Sequence, residues 1–147
     1  MITVIQRVDE ASVTVAAETY QAEIGTGLLI LLGVAKGDQP EQAHWLANRI
    51  ANLRVFADEQ GRFNRNVTEA GGSVLVVSQF TLLGNCSKGH RPSFLEAADP
   101  DTGRTLYELF CQELTETHHL DVKRGIFQAA MSVSLVNNGP ATFILSR

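Results

Sequence analysis

Ser73-Val74-Leu75-Val76-Val77-Ser78-Gln79-Phe80-Thr81-Leu82 is the most strand-like stretch of the chain. β-Branched and leucine residues dominate it, Gly71-Gly72 breaks the chain just before it, and a loop rich in turn residues follows. A strand over this stretch places three polar side chains, Ser78, Gln79 and Thr81, at one end of an otherwise apolar element. Strand geometry sends Ser78, Phe80 and Leu82 to one face and Gln79 and Thr81 to the other, so the two hydroxyls do not meet one substrate unless a bulge intervenes. No His or Asp nearby stands out as a base for either hydroxyl, which weakens a serine-hydrolase arrangement. A strand end also offers free backbone N–H groups that can hold a carbonyl oxygen as it gains negative charge. A purely structural polar strand end is the alternative.

Working outward, residues 83 to 94 carry two Gly, a Pro and small polar residues, an ordered loop by composition, with Lys88 and Arg91 within it. Asp99 then reads as an N-cap with Pro100 in the first position, and Leu106, Leu109, Phe110 and Leu114 share one helical face ending near His118-His119. In the other direction, Leu53 to Ala57 predicts a strand and Asp58-Glu59-Gln60-Gly61 a turn. Asp38 with Glu41 three residues on resembles a capping box and opens a helix over residues 39 to 52. Before it lie strand patterns at Ile2, Val4 and Val8, at Ser12 to Val15, and in the run Leu28 to Leu32, which predicts a central strand buried on both faces. The C-terminal part predicts strands at Val122 to Phe127, Met131 to Val136 and Ala141 to Ser146, broken by Asn137-Asn138-Gly139-Pro140. About eight strands and two helices without regular βαβ alternation predict an α+β fold. It is a single domain over residues 1 to 147 with a mainly antiparallel or mixed, barrel-like sheet.

The bulk properties agree with one self-sufficient domain. The chain has 147 residues, 44% hydrophobic and 19% charged, enough to bury a core without metal or disulfide staples. Its two cysteines, Cys86 and Cys111, form no framework, which fits a reducing cytoplasm. The absence of an 18-residue apolar run predicts no membrane span, and the opening residues carry no signal-peptide pattern. A net charge of -4 argues against a protein that coats nucleic acid by charge. The acidity is uneven, however: residues 61 to 95 hold 4 basic and 1 acidic side chains, whereas the segments on either side are net acidic.

G-x-G-x-x-G, G-x-x-x-x-G-K-[ST], G-x-S-x-G and H-E-x-x-H are all missing, which removes the sequence basis for dinucleotide binding, P-loop chemistry, a hydrolase elbow and a zincin site. The histidines are not spaced as ligands, so neither a metal nor another cofactor is expected. Gly139-Pro140 reads most simply as a turn between strands, although a cis bond there would direct two carbonyl oxygens to one place.

Two separated motifs carry a resemblance. Ser78-Gln79-Phe80-Thr81-Leu82 and Asn137-Asn138-Gly139-Pro140-Ala141-Thr142 are similar to the signature pair of the D-aminoacyl-tRNA deacylases. Ile5-Gln6-Arg7-Val8, Gly71 to Val77 and Arg91-Pro92-Ser93-Phe94 resemble that family too, and the likeness covers the whole chain. Ala141 stands where the family pattern leads us to expect Val, and His90 occupies a position that varies.

The resemblance implies a homodimer that hydrolyses the ester between a D-amino acid and the terminal adenosine of tRNA, and that also releases wrongly attached glycine. L-Aminoacyl esters are spared because Gly139 and Pro140, joined by a cis bond, enter the partner's pocket as a chiral gate. Ser78, Gln79, Phe80 and Thr81 form the catalytic segment. Two mechanisms remain open: backbone groups of that segment assisted by the tRNA's 2'-hydroxyl, or Thr81 as nucleophile. Phe127 and Met131 would face the adenine; Lys88 and Arg91 are candidate contacts to the acceptor end on a different ground, since the net-positive segment 61 to 95 holds both them and the catalytic segment. A noncatalytic nucleotide-binding module and an esterase built on Ser78 or Thr81 are the rival readings.

Overall fold

A computed structural model describes residues 1–147. It contains β1 (Ile2–Val15), β2 (Tyr20–Ile24), β3 (Gly27–Gly33), α1 (Pro40–Ala51), β4 (Phe56–Ala57), β5 (Phe63–Arg65), β6 (Ser73–Ser78), α2 (Pro100–Gln112), β7 (Val122–Arg124) and β8 (Ser132–Ser146). The two apolar runs of the sequence lie side by side, β3 pairing with β6 in parallel from Gly27↔Ser73 to Leu32↔Ser78. Their neighbours are β1 and β7, in the order β2-β1-β3-β6-β7, with β8 paired along β1; β4 and β5 form a separate two-stranded sheet. The main sheet is mixed: β6 also pairs in parallel with β7, whereas β1 is antiparallel to β2, β3 and β8.

Alternation along these strands separates two apolar clusters. Leu28, Ile30, Leu32, Val74 and Val76 pack with the buried faces of α1 and α2, including Leu46, Ile50, Leu106 and Phe110. Leu29, Leu75 and Val77 point the other way, into a smaller cluster with Val8, Ala11 and Val13. A central parallel strand covered on both faces reads as an unbroken apolar run, which is why β3 and β6 were visible in the sequence. The strands that sequence alternation spread over residues 2 to 15 prove to be one, bent by irregularities between Gln6, Val8 and Glu10. Those shifts move its inward residues from Ile5 in the larger cluster to Val8, Ala11 and Val13 in the smaller.

Four expectations need correction. Gln39, not Asp38, caps α1, through a capping box with Gln42; Asp38 is drawn away by the Met1 amino group at 2.7 Å and the Ala35 amide at 2.6 Å. The strand expected to reach Leu82 stops at Ser78, because β3 gives it no further partner. The last rung is Gln79 N–H to Leu32 O, 2.7 Å, and Phe80–Leu83 then coil into a 3-10 turn. Only Phe56–Ala57 of residues 53 to 57 and Val122–Arg124 of residues 122 to 127 are strand, and β2 and β5 had not been foreseen. Finally, Asn137 to Pro140 does not end a strand. β8 runs continuously from Ser132 to Ser146, with Thr142 opposite Gln6 and Asn137 opposite Val8, so that Asn138 to Ala141 bulge outward across from Arg7. β1 lies beside β8 on both sides of the bulge and holds its direction.

Candidate active site

A mostly apolar cavity of 530 Å³ opens where β6 ends. Ser78, Gln79 and Phe80 of the β6 end line it, together with Ala97 to Pro100 at the start of α2 and with Phe127, Gln128, Met131 and Val133. Three of the four residues of the expected catalytic segment thus meet both residues expected to face the adenine. Thr81 is exposed and is not among the lining residues; its hydroxyl accepts a hydrogen bond from the Gln79 side chain. Thr81 thus belongs to the 3-10 turn and not to the strand, and the hydrogen-bond partner of its hydroxyl is an amide, not a base. The same turn leaves the amides of Phe80 and Thr81 at its start without intrahelical acceptors, while Gln79 N–H is consumed by Leu32. Of the two, the Phe80 amide belongs to a residue that lines the cavity, where it can receive a carbonyl oxygen that is gaining charge.

The wall is held from behind by Tyr107, whose hydroxyl donates to Val76 O at 3.0 Å and lies 3.3 Å from Gly125 O. Burial pushes its phenol well above the usual tyrosine range, so it acts as a neutral donor tying β6 to the chain leaving β7. Burial likewise pushes the neighbouring Cys111 thiol up to about 12, which makes it a packing residue without reactivity. Met131 reaches the cavity because Gly125 has no side chain; a Cβ there would stand 2.5 Å from the Met131 sulfur. At the mouth, Asp99 Oδ1 caps α2 by accepting from the amides of Asp101 (3.1 Å) and Thr102 (3.0 Å), and the bonds from Thr102 hold its carboxyl below the usual range. Sequence reasoning placed Asp99 as a cap without seeing that it borders the site. Tyr107 was missed altogether, although a phenol on the buried face of a helix signals a polar partner inside the core.

Lys88 and Arg91 lie exposed on the 83–94 loop, outside the lining of the cavity, and neither forms an ion pair. Phe94 of the same loop packs edge-on against Phe80, 5.0 Å between ring centres, and so joins the loop to the cavity mouth.

Gly139 and Pro140 are also outside the cavity of their own chain; they are exposed, and the bond between them is cis. Side chains of β1 brace the surrounding bulge. Arg7 Nε donates to Asn138 O at 3.0 Å with its guanidinium 5.0 Å over the Phe63 ring, and Asn138 Nδ2 donates to Asp9 at 2.6 Å.

Residues 4–146 match the family described as D-Tyr-tRNA(Tyr) deacylase. The chain belongs to that family. Curated relatives within reach include the D-aminoacyl-tRNA deacylase of Pelobacter propionicus, 54% identical over 147 residues and the full length of both chains. The D-aminoacyl-tRNA deacylase of Geobacter sulfurreducens is 55% identical over 145 residues, 99% of this chain and 94% of that one. Among solved structures, one described as c-Myc DNA Unwinding Element Binding Protein superposes with a TM-score of 0.90 at 37% identity, covering 100% of this chain and 99% of the other. A probable eukaryotic D-amino acid tRNA deacylase superposes with a TM-score of 0.84 over 98% of this chain and 97% of its own; at 16% identity it speaks for the fold alone. Both the α+β class and the family expected from the paired motifs are thereby established. No helix is long and apolar enough to cross a membrane.

Proposed function

We propose that the protein hydrolyses the ester joining a D-amino acid to the terminal adenosine of tRNA, and that it treats glycyl esters alike while sparing L-aminoacyl esters. Family membership supports the reaction class, and one observation supports its location: the polar end of β6 lines the same cavity as Phe127 and Met131. An apolar surface that stacks a base and an amide donor for a carbonyl are the two features that an aminoacylated adenosine requires. Purified protein should release tyrosine from D-tyrosyl-tRNA. A sample that binds tRNA and leaves the ester intact would instead be a noncatalytic module. One that cleaves small activated esters and is blocked by acylating reagents would be a conventional esterase.

In this proposal the working unit is a homodimer, and Gly139-Pro140 of one subunit gates the pocket of the other. Its motif lies outside its own cavity. β8 pairs only with β1, so its second edge carries unpaired backbone groups, flanked by exposed Leu135, Val136 and Ile144 (37%, 47% and 68% exposed). Such an edge with apolar side chains invites pairing with another strand. Sedimentation should give a species of twice the 16.0 kDa chain mass at assay concentrations; a monomer that retains stereoselective activity would overturn the cross-subunit gate.

Binding should depend only shallowly on salt. A protein that grips the acceptor end meets few phosphates, and the free cations on the 83–94 loop are Lys88 and Arg91. Replacing either with Ala should flatten the slope of log K against log salt by about 1, at any D-aminoacyl identity. An unchanged slope in both variants would remove these side chains from the tRNA contact.

A further inference from the structure

Phe127 has neighbours that its role as a stacking surface does not by itself explain. The Arg104 guanidinium carbon lies 4.9 Å from the centre of its ring, over the face. Arg104 is exposed and is not among the residues lining the cavity, whereas Phe127 and Gln128 both are. On α2, Gly103 and Tyr107 complete the support. The edge of the Phe127 ring passes so close to Gly103 that an added Cβ would be 3.2 Å from it, and the Tyr107 ring lies at 5.8 Å. Tyr107 is itself fixed by its bonds to Val76 and Gly125.

The next residue adds a second, independent feature. Gln128 has φ 68°, in the left-handed region that a side-chain-bearing residue adopts only when its surroundings hold it there. Its side chain accepts a hydrogen bond from Arg104 Nη2 at 3.3 Å. One planar guanidinium therefore covers the ring of Phe127 and fastens the strained residue that follows. A stacked, planar, multi-donor group can do both at once; a point charge cannot.

We propose that Arg104 is a positioning residue for the adenosine subsite: it holds Phe127 as a platform, acting through the ring and through Gln128, without touching a phosphate. The inference rests on the assignment of this cavity to the terminal adenosine. When a base stacks on the face opposite the guanidinium, the phenyl ring is sandwiched between base and guanidinium, and the cation's pull on the ring is retained while the ligand is bound.

Free adenosine, which has no phosphate, is the deciding probe. It should inhibit the wild type competitively, and Arg104→Ala should weaken that inhibition about fivefold. The KM for D-tyrosyl-tRNA should rise by a similar factor, with kcat changed by less than about twofold and the dimer and thermal midpoint retained. Arg104→Lys, which keeps the charge and loses the plane, should resemble Arg104→Ala. If Lys restores wild-type behaviour, or if Arg104→Ala leaves adenosine inhibition intact while flattening the salt slope, Arg104 is a charge contact and the proposal fails. If adenosine does not inhibit the wild type at all, the adenosine subsite itself is misassigned, and the platform falls with it.

Discussion

D-Tyrosyl-tRNA whose terminal adenosine lacks the 2'-hydroxyl is expected to be hydrolysed about 10²–10⁴-fold more slowly than the natural substrate, the factor that a positioned proton-transferring group supplies. The expectation follows from what surrounds the polar end of β6. Ser78 and Gln79 line the cavity but have no histidine or carboxylate among the lining residues near them; the one carboxylate there, Asp99, is engaged in capping α2. Thr81 stands outside the cavity, with its hydroxyl bonded to Gln79. The cavity thus offers the Phe80 amide for the carbonyl oxygen and no free side-chain base to move a proton, which leaves the substrate's own hydroxyl beside the ester. The companion variant, Thr81→Ala, should keep its activity within about tenfold, the loss expected for one hydrogen bond that holds Gln79. Abolished hydrolysis by Thr81→Ala, with dimer and fold intact, would make Thr81 the nucleophile, and full activity on the deoxy substrate would remove the 2'-hydroxyl from the mechanism.

Matched D- and L-tyrosyl-tRNA should differ by a factor of about 5 to 150 in kcat/KM. Rigid main chain at Gly139-Pro140, entering from the second subunit, would collide with a side chain of L configuration, and forcing even a small group into a filled site costs about 1–3 kcal/mol. A gate of this kind discriminates by rejection, so on this proposal the pocket need not recognise any particular D side chain. Glycine presents nothing to reject, and its ester should be cleaved at a rate close to that of the D-tyrosyl ester. The bulge supports this use of the motif: Arg7 and Asp9 grip Asn138 from β1, so the two residues that follow are carried on a braced section of strand. Equal cleavage of the two tyrosyl esters would sink the gate.

The elements legible in the sequence are those whose cause is local. Leu28 to Leu32 announced β3 because a run covered on both faces needs no polar residue, and Asp99-Pro100 announced α2 because cap and first turn are adjacent. What stayed hidden depended on distant partners. The end of β6 is set by where β3 stops offering carbonyls, and Asp38 is diverted from capping by the Met1 amino group. Asn137 to Pro140 looks like a chain reversal by composition, yet β1 alongside keeps β8 straight on either side. The cavity was half legible. Its motif residues could be named, but Tyr107, Arg104 and Gln128 become visible only once α2 lies against the loop after β7.

The pairing of β1 with β8 also governs when the protein can exist. Ile2 pairs with Ser146, and this ladder, with its bulge, joins the two extremes of the chain. Contacts of such sequence separation form slowly, because a long loop must close before any of them contributes. On the ribosome β1 emerges early and must wait for β8, its partner along almost its whole length, so neither the sheet nor the braced bulge is complete before Ser146 has been released.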